Sequence, residues 1–453
     1  MRLRSLPVKA INICEQSSGR RIISIAPTMP LNVLVVGAGV CGPAFASLLQ
    51  SSNPKHNITV IERSPSLRIA GQQIDLKAQG TPIVRSMGLL DEVWQHRVEE
   101  TGMEIVDSNG NALARFGVND SSKGERRNLT NEYEIMRGDL IKVFQEASLR
   151  RREQLKQQGE TEGSMTYEFG KTITTLDQCD DAAEVTFSDG QKKTFDLVVA
   201  ADGQASKTRR QVWGGEVSDA SLHSLGAYAG FYSIPRGPAD SAFAKIYNTT
   251  GKRYIMTRNG NRPKTQVYLW DLKHTEELRK LDKEPVEKRH RFWADNYKDA
   301  GWEAERFLEG LKTTDDWYSC EIAQVKLKEL HKGRVVLLGD AGYGPSVFTG
   351  MGTTSSLFGA YVLAGELARN PNNIKGALNM YEEKLRPHIE EAQKVGGNFG
   401  LFPDSKLGIW LMRKALWIIS SLKLDSLATS VMPEQKGEVE IPVYPELNLP
   451  VVS

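Results

Sequence analysis

Three glycines and two acids, set far apart, carry the chemistry this sequence can do. Gly37, Gly39 and Gly42 stand at G-x-G-x-x-G spacing within "VLVVGAGVCGPAFASLLQ". Glycines so placed let bare backbone N–H groups and a helix N-terminus approach a pyrophosphate. In "ITVIER" the strand ends at Glu62, twenty residues beyond Gly42, where an acid accepts from a ribose hydroxyl. This first group fits a flavin or a nicotinamide dinucleotide equally. A second group decides between them: "VVLLGDAGYGPSVFTGMGTTSSLFGAYVLAGEL" puts Asp340 at a strand end and Gly350 and Gly352 at the opening of a helix. For a flavin, Asp340 can accept from a ribityl or ribose hydroxyl. The helix N-terminus can stabilise negative charge at the pyrimidine end of the reduced ring. A nicotinamide enzyme with one Rossmann unit has no use for this second site.

The elements that must position these residues follow from hydrophobic periodicity. Val33–Val36 reads as a short buried strand and Pro43–Gln50 as an amphipathic helix, with the next strand ending at Glu62. "GMEIVDSNGNALARF" gives a hairpin turning at Ser108-Asn109-Gly110-Asn111. "EYEIMRGDLIKVFQEASLRR" gives a helix with Asp139 near its start. In "EVTFSDGQKKTFDLVVAADG", Asp189-Gly190 is a tight turn and Leu197–Ala200 a buried strand running into Ala201-Asp202-Gly203.

From about 222 to 318 the texture changes to Tyr- and Trp-rich segments such as "AYAGFYSIP", "KRYIMTRNG" and "TQVYLWDL", strands of an antiparallel sheet. The implied organisation is a leader over 1–31, a discontinuous nucleotide domain over 32–220 and 319–400, a substrate-binding sheet domain over 221–318, and a C-terminal helix and tail over 401–453. The 453 residues are ample for this.

Composition excludes several functions. With 58 basic and 56 acidic residues the formal net charge is +2, so no nucleic-acid partner is implied. Cys14, Cys41, Cys179 and Cys320 are far apart without C-x-x-C spacing, which argues against a zinc site or disulfide framework; each reads as a lone buried thiol in a reducing compartment. The leader holds Arg2, Arg4, Lys9, Arg20 and Arg21 against the single acid Glu15. A cytoplasmic protein with a disordered leader is the expectation, organelle targeting the alternative. Ala415–Leu422, between Lys414 and Lys423, is too short to span a bilayer. Trp410 and Trp417 share one helical face, expected to pack on the protein body rather than lie on a membrane.

Taken in order, these segments resemble the single-component FAD-dependent aromatic hydroxylases (class A flavin monooxygenases), nearest in likeness to the tetracycline-inactivating and polyketide-hydroxylating members. The resemblance covers roughly 32–400 and rests on "GAGVCG" with Glu62, "RIAGQQIDLKAQG", "EIMRGDL", "ADGQASKTRR" and "GDAGYGPSVFTGMG". It implies an α/β fold: a Rossmann-like FAD-binding domain of the glutathione-reductase type interrupted by an antiparallel-sheet substrate domain, with a C-terminal helix.

By the same resemblance Arg68 would sit at the flavin edge where NADPH (or NADH) delivers hydride. Asp75 and Arg137 would contact FAD, Asp340 would hold its ribityl chain, and Arg63 and Asp202 belong to the first and second nucleotide motifs. Alone, Arg137 reads equally as an exposed helix arginine and Asp202 as a turn residue. The sequence departs from the family at Gly342-Tyr343, where the family commonly has Ala-His, and keeps only Pro345 of a proline pair. Arg253 falls where the tetracycline enzymes have a substrate-contacting arginine, but their glutamine is not evident, so tetracycline is not the expected substrate.

The implied activity is an NAD(P)H-consuming monooxygenase, an oxidoreductase that inserts one oxygen atom of O₂ into a small aromatic or polyketide-type molecule through a flavin C4a-hydroperoxide. A monomer in secondary metabolism or xenobiotic modification is expected. The alternative is a flavin-dependent dehydrogenase or oxidase without oxygen insertion. Tyr228, Tyr232, Tyr254, Tyr268 and Trp270 are candidate pocket-lining residues, each with core packing as the commoner fate of strand aromatics. No catalytic base can be named. The motifs are shared by hydroxylation, epoxidation and Baeyer–Villiger chemistry, and leave regiochemistry open.

Overall fold

The computed structural model describes residues 29–117, 133–394, 402–422 and 437–450; the leader expected over 1–31 lies outside the described residues up to residue 28. Strand Asn32–Val36 is the centre of a six-stranded sheet, flanked by Asn57–Glu62 on one side and Leu197–Ala200 on the other, with Ser164–Phe169 and Val335–Leu337 beyond them, all parallel. The short strand His331–Lys332 closes one edge antiparallel.

A parallel sheet is covered on both faces, which is why "VLVV" is uninterruptedly apolar. Val33 and Val35 face a helical layer that includes Cys41–Ser52, Gly352–Arg369 and Ile374–Ala392. Leu34 and Val36 face the other way, onto an antiparallel ribbon of Ile173–Gln178, Ala183–Phe187 and Lys192–Phe195. Helix Arg137–Gln157 packs against Cys41–Ser52, burying Leu140, Val143 and Phe144 at helical spacing.

The aromatic region is a seven-stranded sheet in the order Tyr318–Val325, Leu222–Pro235, Lys264–Asp271, Arg253–Arg258, Phe243–Thr249, Gly102–Val106, Ala112–Phe116. Neighbours are antiparallel except Phe243–Thr249 with Gly102–Val106, which run parallel. The hairpin formed by Gly102–Val106 and Ala112–Phe116 therefore completes this sheet, although it lies more than a hundred residues before the other strands. Such long-range pairing leaves no local sign.

Three helices, Thr275–Leu281, Val286–Tyr297 and Ala304–Thr313, cover one face of the sheet. Helix Lys406–Ser421 covers its edge: the Ser420 hydroxyl donates to the Arg115 carbonyl and accepts the Arg115 N–H, blunting an otherwise open strand. The expected inward packing of its tryptophans is overturned. Ile409 is the buried residue, while Trp410 and Trp417 are 54% and 52% exposed. Cys41 is buried as expected, Cys320 is half-buried and Cys179 is exposed. Among the described residues no helix is long and apolar enough to cross a membrane.

Candidate active site

The glycine turn is shaped by contact as much as by flexibility. Gly37 has φ +111°, and a Cβ there would lie 2.5 Å from the Ala201 carbonyl oxygen; a Cβ on Gly42 would lie 2.1 Å from the Gly37 oxygen. The turn is thus pressed between the strand ends and the start of helix Cys41–Ser52. Gly39 is different, since the nearest atom to its would-be Cβ is Arg137 Nη2 at 3.5 Å. Glu62 reaches the same turn: its Oε2 accepts the Ala38 N–H at 3.0 Å and its Oε1 the Ser64 N–H at 3.0 Å. Arg63 beside it is exposed.

The distant acid arrives at this turn. The strand ends at Leu337 rather than Gly339, and Asp340 opens a short helical turn, Asp340–Tyr343. Gly339, at φ +65°, passes so close to helix Cys41–Ser52 that a Cβ would lie 2.8 Å from Cys41 Sγ. The Cys41 thiol is pushed up to about 12 by burial, with the Asp340 carboxylate adding to the effect, so it is an inert thiol.

Asp340 itself is solvent-accessible through a cleft yet ringed by protein. That confinement raises its carboxyl above the usual range, while the Arg137 guanidinium opposes the rise. Neither Asp340 oxygen has a hydrogen-bond partner among the described residues. Arg137 is confined in the same way; its charged form is disfavoured by burial and by Arg68 nearby, and among the described residues its guanidinium makes one long hydrogen bond, Nη1 to the Ala70 carbonyl at 3.5 Å. The segment around Ile69–Gly71 wraps it, with a Gly71 Cβ position 3.1 Å from Arg137 Cδ.

Gly350 takes the left-handed conformation, φ +59°, that turns the chain into helix Gly352–Arg369. A Cβ on Gly350 would lie 3.2 Å from Asp75 Oδ2, whereas nothing stands within 4 Å of the Gly352 position. The helix N-terminus thus opens on clear space beside Asp75. Asp202 stands apart: its carboxylate holds Ser206 Oγ at 2.5 Å and the Thr208 N–H at 3.1 Å, so it braces the start of helix Lys207–Trp213.

The sheet supplies the opposite wall. Strand alternation divides the aromatics between its faces. Phe231, Met256, Tyr268, Trp270, Tyr318 and Ile322 cluster on the face away from the three helices. Tyr228 and Tyr232 belong to the helix-covered core, the commoner fate expected of strand aromatics. Arg253 is also turned to the helices: it donates to the Asn296 carbonyl, pairs with Asp299 at 2.7 Å and lies over the Tyr297 ring. It therefore faces away from the cleft-side aromatics.

Two residues enter the cleft that motif reading passed over. Tyr318 carries the Arg68 guanidinium 5.2 Å over its ring and stacks on Phe231 at 6.0 Å. Phe348, in the loop before Gly350, sits 5.1 Å from the Trp270 ring. Tyr318 was findable as the start of an alternating strand, "YSCEIAQV"; Phe348 had no periodic signal.

An unpaired carboxylate, two under-used arginines, a glycine turn and an open helix N-terminus make a donor set that fits FAD. A match to the FAD binding domain family spans residues 30–395. The chain belongs to this family of flavin-dependent monooxygenases. It is 42% identical to FAD-dependent monooxygenase asL6 of Sarocladium schorii, over 93% of this chain and 99% of that one. It is 32% identical to monooxygenase CTB7 of Cercospora beticola, over 91% and 97%. Among solved structures, tetracycline destructase Tet(51) superposes with a TM-score of 0.72 at 28% identity, covering 92% of this chain and all of that one. Klebsiella pneumoniae HpxO, crystallised with FAD and uric acid, shares the fold at a TM-score of 0.61 and 17% identity, over 90% and 98%.

Proposed function

We propose that this flavin monooxygenase consumes NAD(P)H and O₂ and inserts one oxygen atom into a small aromatic or polyketide-type substrate, in secondary metabolism or xenobiotic modification. The second oxygen leaves as water, so one NAD(P)H and one proton are consumed per oxygen inserted. Bound FAD would supply the two-electron relay and the oxygen activation. The protein's part is holding, orienting and drying. Asp340 would accept from a cofactor hydroxyl, Arg137 and the Gly37–Gly42 turn would face the phosphates, and Arg68 over Tyr318 would offer a cation where the reductant's anionic groups approach. Glu62 would receive a ribose hydroxyl, and the N-terminus at Gly352 would favour electron-rich flavin.

The aromatic face of Tyr318, Phe231, Trp270 and Met256 keeps water from the reacting centre, without which activated oxygen is lost as H₂O₂. The observation that carries the reading is the convergence of unpaired Asp340 and Arg137 at the glycine turn beneath that face. The test is purification under mild conditions, followed by a screen of aromatic and polyketide compounds for faster NADPH and NADH oxidation. Product mass is read for a gain of one oxygen. Accelerated oxidation yielding only H₂O₂ with every compound would support the dehydrogenase or oxidase alternative instead.

A further inference from the structure

Helix Lys406–Ser421 has two apolar faces, and only one is used. Ile409, Met412, Leu416 and Ile419, at three- and four-residue spacing, turn toward the edge of the seven-stranded sheet. The opposite arc carries Leu407, Trp410, Leu411, Trp417, Ile418 and Leu422, each about half or more exposed. At 100° per residue these six fall within roughly 140° of the helix circumference. Six large apolar side chains on one arc form a continuous patch, which a free surface does not carry without use.

The charge around the patch selects its occupant. The helix contains no acid, while Lys406 and Lys414 are exposed on it. Lys414 stands in the middle of the apolar arc with its ammonium 5.9 Å from the Trp410 ring centre and 5.8 Å from that of Trp417. Arg115, on the strand beneath, adds an exposed guanidinium that is shared with Glu104. Asp404, just before the helix, is occupied with the Gly251 N–H. Tryptophans flanking a lysine on an acid-free apolar face match the headgroup boundary of an anionic bilayer, where indoles sit at the interface and the lysine stem bends its charge toward phosphate.

A second copy fits less well. A two-fold axis through the middle of this face would press Lys414 against its own counterpart, a like-charge contact in an apolar setting.

We propose that this face docks the protein on anionic lipid, lying in the interface rather than spanning it. Docking has a consequence for the cleft. Phe402, four residues before the helix, packs edge-on against Tyr254 at 5.3 Å, so the helix is tied to the strand that carries Met256 of the aromatic wall. An apolar substrate dissolved in the bilayer would then arrive beside that wall.

The experiment is flotation of the full chain with vesicles of phosphatidylcholine alone and of phosphatidylcholine with phosphatidylserine, at low and high salt. The expected result is binding to the anionic vesicles that weakens with salt. The double change Trp410→Ala, Trp417→Ala should lower partitioning at least about tenfold, and Lys414→Glu at least about fivefold, with flavin content unchanged in both. Lys414→Glu alters an exposed position, so it keeps the test intact should the double variant fold poorly.

Absence of binding overturns the proposal. So does binding that both variants retain, which would move it to another part of the chain, or equal binding to neutral vesicles. A dimer in solution that the double variant dissociates would assign the face to a second copy and overturn it as well.

Discussion

The two faces of the seven-stranded sheet are built from the same residue types and behave differently. On the helix-covered face every tyrosine hydroxyl is spoken for: Tyr228 donates to Asp282, Tyr232 to the Phe307 carbonyl at 2.9 Å, Tyr247 to the Ala300 carbonyl at 2.6 Å and Tyr297 to the Trp270 carbonyl at 2.6 Å. Trp293 and Tyr297 are fully enclosed there. On the face toward the nucleotide layer, Trp270, Met256 and Tyr318 are only half-buried, and the Tyr254 hydroxyl is buried without a hydrogen-bond partner among the described residues. Buried polar groups in a finished core are satisfied. Tyr268 on the nucleotide-side face does bond, donating to Gln266 and accepting the Gln73 N–H. The difference therefore lies in half-exposed rings together with the unpaired Tyr254 hydroxyl, and not in aromatic content.

The sharpest way to break this comparison is to remove a large ring from the sealed face. Trp293→Ala should cost about 3–5 kcal/mol of stability, because the three helices cannot collapse into the void. Thermal and denaturant melts would read the loss, while the protein that remains folded should keep its flavin affinity and its substrate range. A change in product profile with normal stability would show that the two faces are not independent.

The matching change on the open face is Trp270→Ala. Its half-buried ring should contribute about 1–2 kcal/mol to stability, but its loss exposes Phe348 and the cleft to water. The fraction of NAD(P)H oxidation recovered as H₂O₂ should rise well before the melting temperature falls far. Unchanged coupling would remove Trp270 from the drying wall.

Arg253 sharpens the comparison in the other direction. Its strand neighbours Tyr254 and Met256 face the cleft, whereas its own guanidinium is committed to Asp299 and Asn296 among the helices. Arg253→Met should cost about 1 kcal/mol, since the partner Asp299 is exposed and not stranded by the change. KM for substrate should not move. A large KM increase at preserved stability would return Arg253 to the cleft.

The parts of the site that were legible in the chain are those set by short spacing. The glycine triplet, the twenty-residue step to Glu62 and the Asp340–Gly352 loop each encode a local turn whose geometry follows from the backbone. What was not legible depended on distant partners. Nothing near Gly102 announces that its hairpin will join Phe243–Thr249, and a strand alone does not say which of its faces will be covered. Hence the chain alone does not separate Tyr228 and Tyr232, which join the helix-covered core, from Tyr268 and Trp270, which lie on the other face. The helices over 275–313 were legible in principle: Ala304, Phe307, Leu308 and Leu311 carry the i, i+3, i+4, i+7 pattern, but the neighbouring aromatic strands overshadowed it.

The smallest expected effect probes the sealed face by pH. Asp282, the acceptor for Tyr228, is pushed up to about 6 by burial, against the pull of Arg289. Its unfolded value is near 3.8, so between these pH values the folded protein holds the extra proton. Stability from this group is therefore full below about pH 4 and is lost as pH rises through 6. The carboxyl is open to solvent along one edge, so the swing should stay below about 1 kcal/mol.

His56 and His388 act oppositely, since burial holds each down to about 4 and stability falls as pH drops below 6.5. The Asp282 contribution must accordingly be read as the difference between wild type and Asp282→Asn. That difference should change with pH between about 4 and 6 and be flat above. A flat difference throughout would mean that folding leaves the Asp282 carboxyl unshifted, with the pull of Arg289 offsetting its burial.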